Sequence, residues 1–212
     1  MLTLESKVVV REHHSSQTHF VGSELRMNTY TILASLLHKT PDLSLLNHLL
    51  SMESSDPSEP GTMGRAWLSL KQAASEVEPA RLSEEYQNLF IGLGRGEVVP
   101  FGSWHLTGFL MDKPLSDLRN DLQALGIVRD EREKDPEDHI ASLCETMALL
   151  IQAEDIDEQM ERRFFACHLH PWASKFFREV QEADSAKFYK HVGYLGQSFM
   201  EVESHYLNVR TH

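Results

Sequence analysis

Residues 135–151 read DPEDHIASLCETMALLI, and the fold class turns on how this stretch is read. Asp135 suits an N-cap, Pro136 suits the first helical position, and Glu137 and Asp138 would face the positive end of a helix. Behind them Ile140, Leu143, Cys144, Met147, Leu150 and Ile151 recur at three- and four-residue spacing, the period of one buried helical face. The spacing predicts a helix opening at Pro136 with Asp135 as its cap. The charged segment VRDEREK, 128–134, reads as a linker before it.

The same period extends outward. Leu115, Leu118, Leu122 and Leu125 mark a helix over 114–125 with Gly126 placed to end it, and residues 92–113 between two helices read as the longest irregular segment. Leu82, Tyr86, Leu89 and Phe90 follow Pro79 on one face; Met63, Ala66, Trp67, Leu70, Ala73, Ala74 and Val77 form another. The Ser/Pro/Glu-rich stretch 51–64 reads as a surface loop. Before it, Thr40-Pro41 is read as opening a helix carrying Leu45, Leu46, Leu49 and Leu50, and Leu25, Ile32, Leu33, Leu36 and Leu37 place a first helix from near Ser23. Downstream, helices are expected over Ile156 to Leu169, Pro171 to Val180 and Ala183 to Leu207. No run alternates β-branched residues. The expected architecture is all-α, an irregular bundle of about eight or nine helices. Residues 1–22 are expected to form a mobile arm and 23–212 one domain, subdivided by a hinge at about 127–135.

Composition bounds the function. The chain has 212 residues, 41% hydrophobic and 25% charged, and no apolar run long enough to cross a bilayer. Its 20 basic against 32 acidic residues give a net charge of −12, which argues against a nucleic-acid partner and favours basic ligands. Cys144 and Cys167 lack CxxC spacing and sit in apolar helical patterns, so both read as reduced core thiols. The first residues lack the pattern of a secretory signal, and a cytosolic location is expected.

Catalytic constellations are missing: there is no GxxxxGK[ST], no HExxH and no GxSxG. Gly92-Leu93-Gly94-Arg95-Gly96 follows a predicted helix, where a dinucleotide loop must follow a strand. His13-His14 lies in the expected arm, His168 and His170 are two apart where a helical metal face needs three or four, and the Asp135/His139 pair has i,i+4 spacing but lacks a third ligand nearby, so no metal is expected.

Three segments together carry a resemblance. Tyr86-Gln87-Asn88-Leu89-Phe90, continued by Ile91-Gly92 and Pro100-Phe101-Gly102-Ser103-Trp104, is the first; Asp135-Pro136-Glu137-Asp138-His139 is the second; His168-Leu169-His170-Pro171-Trp172 is the third. In order and spacing they resemble the TorD/DmsD family of cytoplasmic redox-enzyme maturation chaperones, with Asp135 where that family has glutamate. The resemblance implies an all-helical, non-catalytic protein whose two halves meet at the hinge before Pro136, as a monomer or a domain-swapped dimer. It implies binding of the twin-arginine signal peptide and apo catalytic subunit of a molybdoenzyme, of the formate dehydrogenase, dimethyl sulfoxide reductase or trimethylamine N-oxide reductase type. No cofactor is required, although weak GTP binding is reported among relatives. Neither nucleic acid nor stable membrane insertion is expected.

Tyr86, Leu89, Phe90, Pro100, Phe101, Gly102, Ser103, Trp104, Asp138 and His139 are thereby candidates for leader and client binding. Asp135, Pro136 and Glu137 are assigned to the hinge, and His168, Leu169, Pro171 and Trp172 to architecture. A leader joins a basic pair to an apolar segment, so its receptor needs an apolar groove beside acidic groups. The loop residues Phe101, Trp104, Phe109, Leu110 and Met111 would supply the groove, with Glu137 and Asp138 beside it. With Asp135 as cap, Asp138 and His139 are left to face the ligand, and Asp138→Ala or His139→Ala would weaken binding with melting nearly unchanged. Two rival functions stand beside this one: a small GTP- or metal-dependent enzyme, and a regulatory scaffold binding only the folded enzyme.

Overall fold

The computed structural model describes residues 2–4, 17–52, 61–130, 134–153 and 156–209. Among them are ten α-helices, two π-helical turns and one two-stranded ribbon. The all-α expectation holds. Contacts divide the chain into two compact units, one of residues 1–34 and 101–171, the other of 35–100 and 172–212. The stretch 127–135, expected as a hinge between halves, lies inside the first unit, and 131–133 within it are outside the described residues.

The first unit contains most of α1 (Gln17–His38), α5 (Gly102–Thr107), α6 (Lys113–Ala124), α7 (Ile140–Gln152) and α8 (Glu158–Phe164). α1 begins six residues before the expected Ser23, so the arm assigned to 1–22 includes helix, and most of the remainder of that arm (5–16) lies outside the described residues. Leu2–Leu4 (β1) pairs antiparallel with Ile127–Arg129 (β2), in the register Leu2 with Arg129 and Leu4 with Ile127. Two strands of three residues are too short for an alternation to be legible in sequence. α7 supplies the core with Ile140, Leu143, Cys144, Met147 and Leu150, as the apolar stripe required. One buried ion pair crosses this unit, Arg26 of α1 with Glu161 of α8 at 3.0 Å.

The second unit contains the last residues of α1, then α2 (Leu43–Ser51), α3 (Thr62–Glu76), α4 (Pro79–Tyr86), α9 (Ala173–Glu182) and α10 (Phe188–Tyr206). α2 is capped by Asp42, whose carboxylate accepts the Leu45 N–H at 2.9 Å, rather than opened by Thr40-Pro41. Of the loop expected at 51–64, residues 53–60 lie outside the described residues. α10 packs closely on α9 because Gly193 and Gly196 face it. A Cβ on Gly196 would lie 2.2 Å from the Phe177 ring, inside any tolerable contact.

Glu85 organises this unit. Its carboxylate is buried and accepts three backbone N–H groups at the start of α10, from Lys187 at 2.8 Å, Phe188 at 3.1 Å and Tyr189 at 2.7 Å. These are the donors a helix start leaves unpaired, and burying them without an acceptor costs far more than the bond gains. Glu85→Ala should lower the unfolding free energy by about 2–4 kcal/mol in a urea titration, and Glu85→Gln, which keeps one acceptor oxygen, by less.

Candidate functional site

α4 does not stop at Tyr86 but widens into a π-helical turn over Gln87–Ile91, closed by the Gly92 N–H on the Gln87 carbonyl at 2.7 Å. Gly92 has φ +59°, and a Cβ there would meet the Arg95 carbonyl at 2.1 Å, so the sharp exit requires glycine. Tyr86, Leu89 and Phe90 are all buried in the second unit. The Tyr86 hydroxyl donates toward the Leu37 and His38 carbonyls at 3.2 and 3.0 Å, and its ring lies 5.2 Å from that of Phe90. These three signature residues form core, not surface.

The segment expected to be irregular from 92 to 113 contains α5, opened by Phe101 in extended backbone. The Gly102 N–H bonds the Asp138 carbonyl at 2.9 Å, and the Ser103 N–H bonds Asp138 Oδ2 at 2.7 Å. Phe101 also forms an antiparallel bridge with His139, with their rings edge to face at 5.1 Å. Two of the signature segments are thus joined in the first unit. Pro100 (second unit), Gly102 and Ser103 are buried, and Phe101 and Trp104 are half-buried.

This junction corrects the sequence reading of residues 135–139. α7 starts at Ile140, and its N-cap is His139, whose Nδ1 accepts the Ala141 N–H at 3.1 Å. With Nδ1 accepting, the neutral ring carries its proton on Nε2. Residues 136–139 form a turn closed by His139 N–H on the Pro136 carbonyl at 3.1 Å, and Asp135 is exposed without a capping role. Local capping loses to tertiary contacts: Asp138 is drawn to α5, and Glu137 to Arg119 at 2.8 Å and Arg129 at 3.8 Å. Burial pushes the Glu137 carboxyl up, but the Arg119 bond and the charges of both arginines outweigh it and hold it below the ordinary glutamate value.

Asp138 and His139 are only 3% and 5% exposed, so neither meets a ligand directly in this conformation. Asp138 Oδ1 is buried and has no hydrogen-bond partner among the described residues. Surface at this junction comes instead from Leu106 in the last turn of α5 and from Phe109, Leu110 and Met111 in the segment after it, all exposed. Asp112 follows them as the N-cap of α6. The backbone N–H of Lys113, then the Thr107 hydroxyl, hold its carboxyl below the usual aspartate value.

In the third segment, chain direction changes through a second π-helical turn, Phe165–Leu169. His168 is half-buried with Nε2 2.8 Å from Asp121 of α6, Leu169 is buried and Pro171 is exposed. Trp172, 2% exposed, packs its ring 5.9 Å from that of Phe176 in the second unit. Cys144 is buried, and burial drives its thiol pKa far up; Cys167, read as core from sequence, is exposed.

Sequence reasoning missed Glu85 and the cleft beside it. That cleft, about 680 Å³ in the second unit, is lined by Ala73, Glu76, Val77, Lys187, Phe188 and His191 among others. Burial lowers the His191 pKa, and its Nδ1 lies 2.6 Å from the Ser69 hydroxyl. One signal was present: Leu82, Glu85, Tyr86 and Leu89 lie at i, i+3, i+4 and i+7, which puts a carboxylate inside an apolar stripe. Among the described residues no group of three or more His, Cys, Asp and Glu side chains is placed to hold a metal, and no helix is long and apolar enough to cross a membrane.

Comparison with known proteins defines the class of this helical protein. The family profile described as "Nitrate reductase delta subunit" matches residues 56–178. A chaperone protein TorD of Vibrio atlanticus is 26% identical over 205 residues, covering 87% of this chain and 95% of its own. A protein of Haemophilus influenzae described as a Tat proofreading chaperone, DmsD, is 28% identical over 116 residues, 54% of this chain and 56% of its own. A solved redox enzyme maturation protein of Archaeoglobus fulgidus superposes with TM-score 0.56 at 16% identity, covering 93% of this chain and 99% of its own, which bears on fold alone. The class is that of molybdoenzyme maturation chaperones, not enzymes. The chain belongs to the nitrate reductase delta subunit family, within its TorD/DmsD chaperones, as the three signature segments anticipated.

Two outcomes follow from the junction. Asp138→Ala should lower the melting temperature, because it strands the Ser103 N–H in the interior at about 1–3 kcal/mol, while Asp138→Asn, which retains an acceptor, should lose less in the same thermal scan. This replaces the expectation that Asp138→Ala leaves melting unchanged. Glu137, with its folded pKa lowered, contributes stability that is present above its unfolded value near 4.5 and is lost as pH falls below it. Denaturation measured from pH 6 down to about pH 3 should therefore show a shallower loss in Glu137→Gln than in the wild type.

Proposed function

We propose that this chain is a cytoplasmic chaperone that binds the twin-arginine leader of a molybdopterin-containing oxidoreductase, together with its apo catalytic subunit. It holds the client until the cofactor is inserted and export proceeds, with no covalent step. Clients of the formate dehydrogenase, dimethyl sulfoxide reductase and trimethylamine N-oxide reductase types all fit this reading. The observation that carries it is the joining of residues 101–104 to 135–139 through Asp138, which sets half-buried Phe101 and Trp104 beside an exposed apolar segment. Buried Asp138 and His139 would then act by positioning. Tyr86, Leu89 and Phe90, buried in the other unit, would act by holding that unit's core.

The physical basis is the pairing of unlike groups. A leader presents two guanidinium groups and an apolar run, and the net charge of −12 favours its approach. Attraction of this kind acts mainly on the association rate and is screened by salt. Calorimetric titration with synthetic twin-arginine leaders from several molybdoenzymes, beside leaders with the arginines changed to glutamine, tests the reading. Binding at micromolar affinity to one leader, weakened by the glutamine change and by salt, is the expected outcome. Equal affinity for full-length and leaderless client, with no binding to any peptide, would replace leader recognition by the scaffold function.

A further inference from the structure

The segment joining α5 to α6 is apolar and exposed, yet tightly built. Phe109, Leu110 and Met111 in it are 70%, 53% and 69% exposed, and Leu106 in the last turn of α5 is 41% exposed. Single exposed apolar side chains are ordinary on a protein surface, but four within six residues form a patch. Gly108 ends α5 in left-handed backbone with its N–H on the Trp104 carbonyl at 2.8 Å, and Thr107 Oγ1 accepts the Phe109 N–H at 3.3 Å. Met111 is itself left-handed, φ +59°, at a cost of about 1–2 kcal/mol for a residue with a Cβ. Its N–H is held by Ser103 Oγ at 3.2 Å. Ser103 is fully buried, and its own N–H is held by Asp138. A relay of hydrogen bonds therefore runs from Asp138 through Ser103 to the strained end of the exposed segment.

We propose that residues 106–112 are the docking loop for the apolar run of a peptide flanked by cationic residues, and that Ser103 is the positioning residue that sets the loop's shape. This rests on the leader-binding function proposed above. The occupant follows from charge: the Asp112 carboxylate adjoins Met111, and the neighbouring Lys113 is already paired with Asp117. A second copy of the chain, which itself carries a net charge of −12, is disfavoured as occupant relative to a cationic peptide. Asp112 would meet the cationic end while Phe109, Leu110 and Met111 receive the apolar side chains. A loop already held in shape loses little conformational freedom on binding, which favours affinity.

The test uses the full chain and two variants, with leader titration and amide hydrogen exchange as separate measurements. Phe109→Ser, in an exposed position, should keep the wild-type melting temperature and bind the leader about tenfold or more weakly, as removal of a central aromatic anchor does. In Ser103→Ala the Met111 amide should exchange about tenfold or more faster in the free protein, while the Gly102 and Ser103 amides, held by Asp138, keep their protection. Leader affinity should fall with it. Unchanged affinity of Phe109→Ser beside a wild type that binds overturns the docking loop, and unchanged Met111 exchange in Ser103→Ala overturns the positioning role. Failure of the wild type itself to bind any leader overturns the function proposed above, and the loop's occupant with it.

Discussion

Asp138 sits where two helix starts would otherwise be left with unpaired groups. Its carbonyl and carboxylate take the first N–H groups of α5, and the residue after it caps α7 with a ring nitrogen. A buried carboxylate is unfavourable unless its oxygens are bonded, and buried helix N–H groups are unfavourable unless accepted. Oδ2 and the Ser103 N–H meet this requirement for each other, while Oδ1 stays buried without a partner among the described residues, so residues 101–103 and 138–141 hold one another in place although they are far apart in sequence. The course of the chain from α5 through the exposed segment to α6 follows from this junction, because Ser103 is fixed at both its N–H and its hydroxyl.

The second unit solves the same problem with a different residue. Glu85 meets the start of α10 with both carboxylate oxygens, and in the same unit the rings of Tyr86, Phe90 and Tyr189 pack on one another. In both units an acidic side chain that might be counted toward recognition of a basic ligand is consumed by backbone. Asp138, Glu85 and the Arg119-paired Glu137 therefore contribute to architecture, whereas Asp112, also a helix cap, keeps its carboxylate exposed. The excess of acidic residues remains a statement about long-range attraction, not about which carboxylates touch a ligand.

The three signature segments share a physical character. Two of them include or overlap a π-helical turn, at Gln87–Ile91 and Phe165–Leu169, and the other is a turn bonded to another element of its unit through Asp138. Widened helical turns change the direction of the chain and are frequent at functional sites. No spacing rule reveals them, because one residue added to a turn hardly alters a 3.6-residue period. Glu85, by contrast, was legible as a charged residue in an apolar stripe. Trp172 and Leu169, assigned to architecture, are buried, whereas Cys167 in the same region is exposed, two residues from both Phe165 and Leu169 and so on the opposite side of the turn from that buried pair.

The sequence by itself determined the helical class, the position of most helices and the resemblance that named the candidate residues. These rest on the repeat of apolar side chains at helical spacing, on proline and glycine at helix ends, and on the order of three short segments, all of which are local. Only the tertiary structure decided where those residues lie and what they touch. Asp135 had every local qualification for an N-cap, yet the helix begins at Ile140, because Glu137 finds its arginines and Asp138 its helix start on other elements. The same long-range contacts buried Asp138 and His139 and left Phe109, Leu110 and Met111 exposed. Hydrogen bonds between residues distant in the chain outweigh local capping because they satisfy buried groups that water cannot reach, and no local pattern shows which groups those will be.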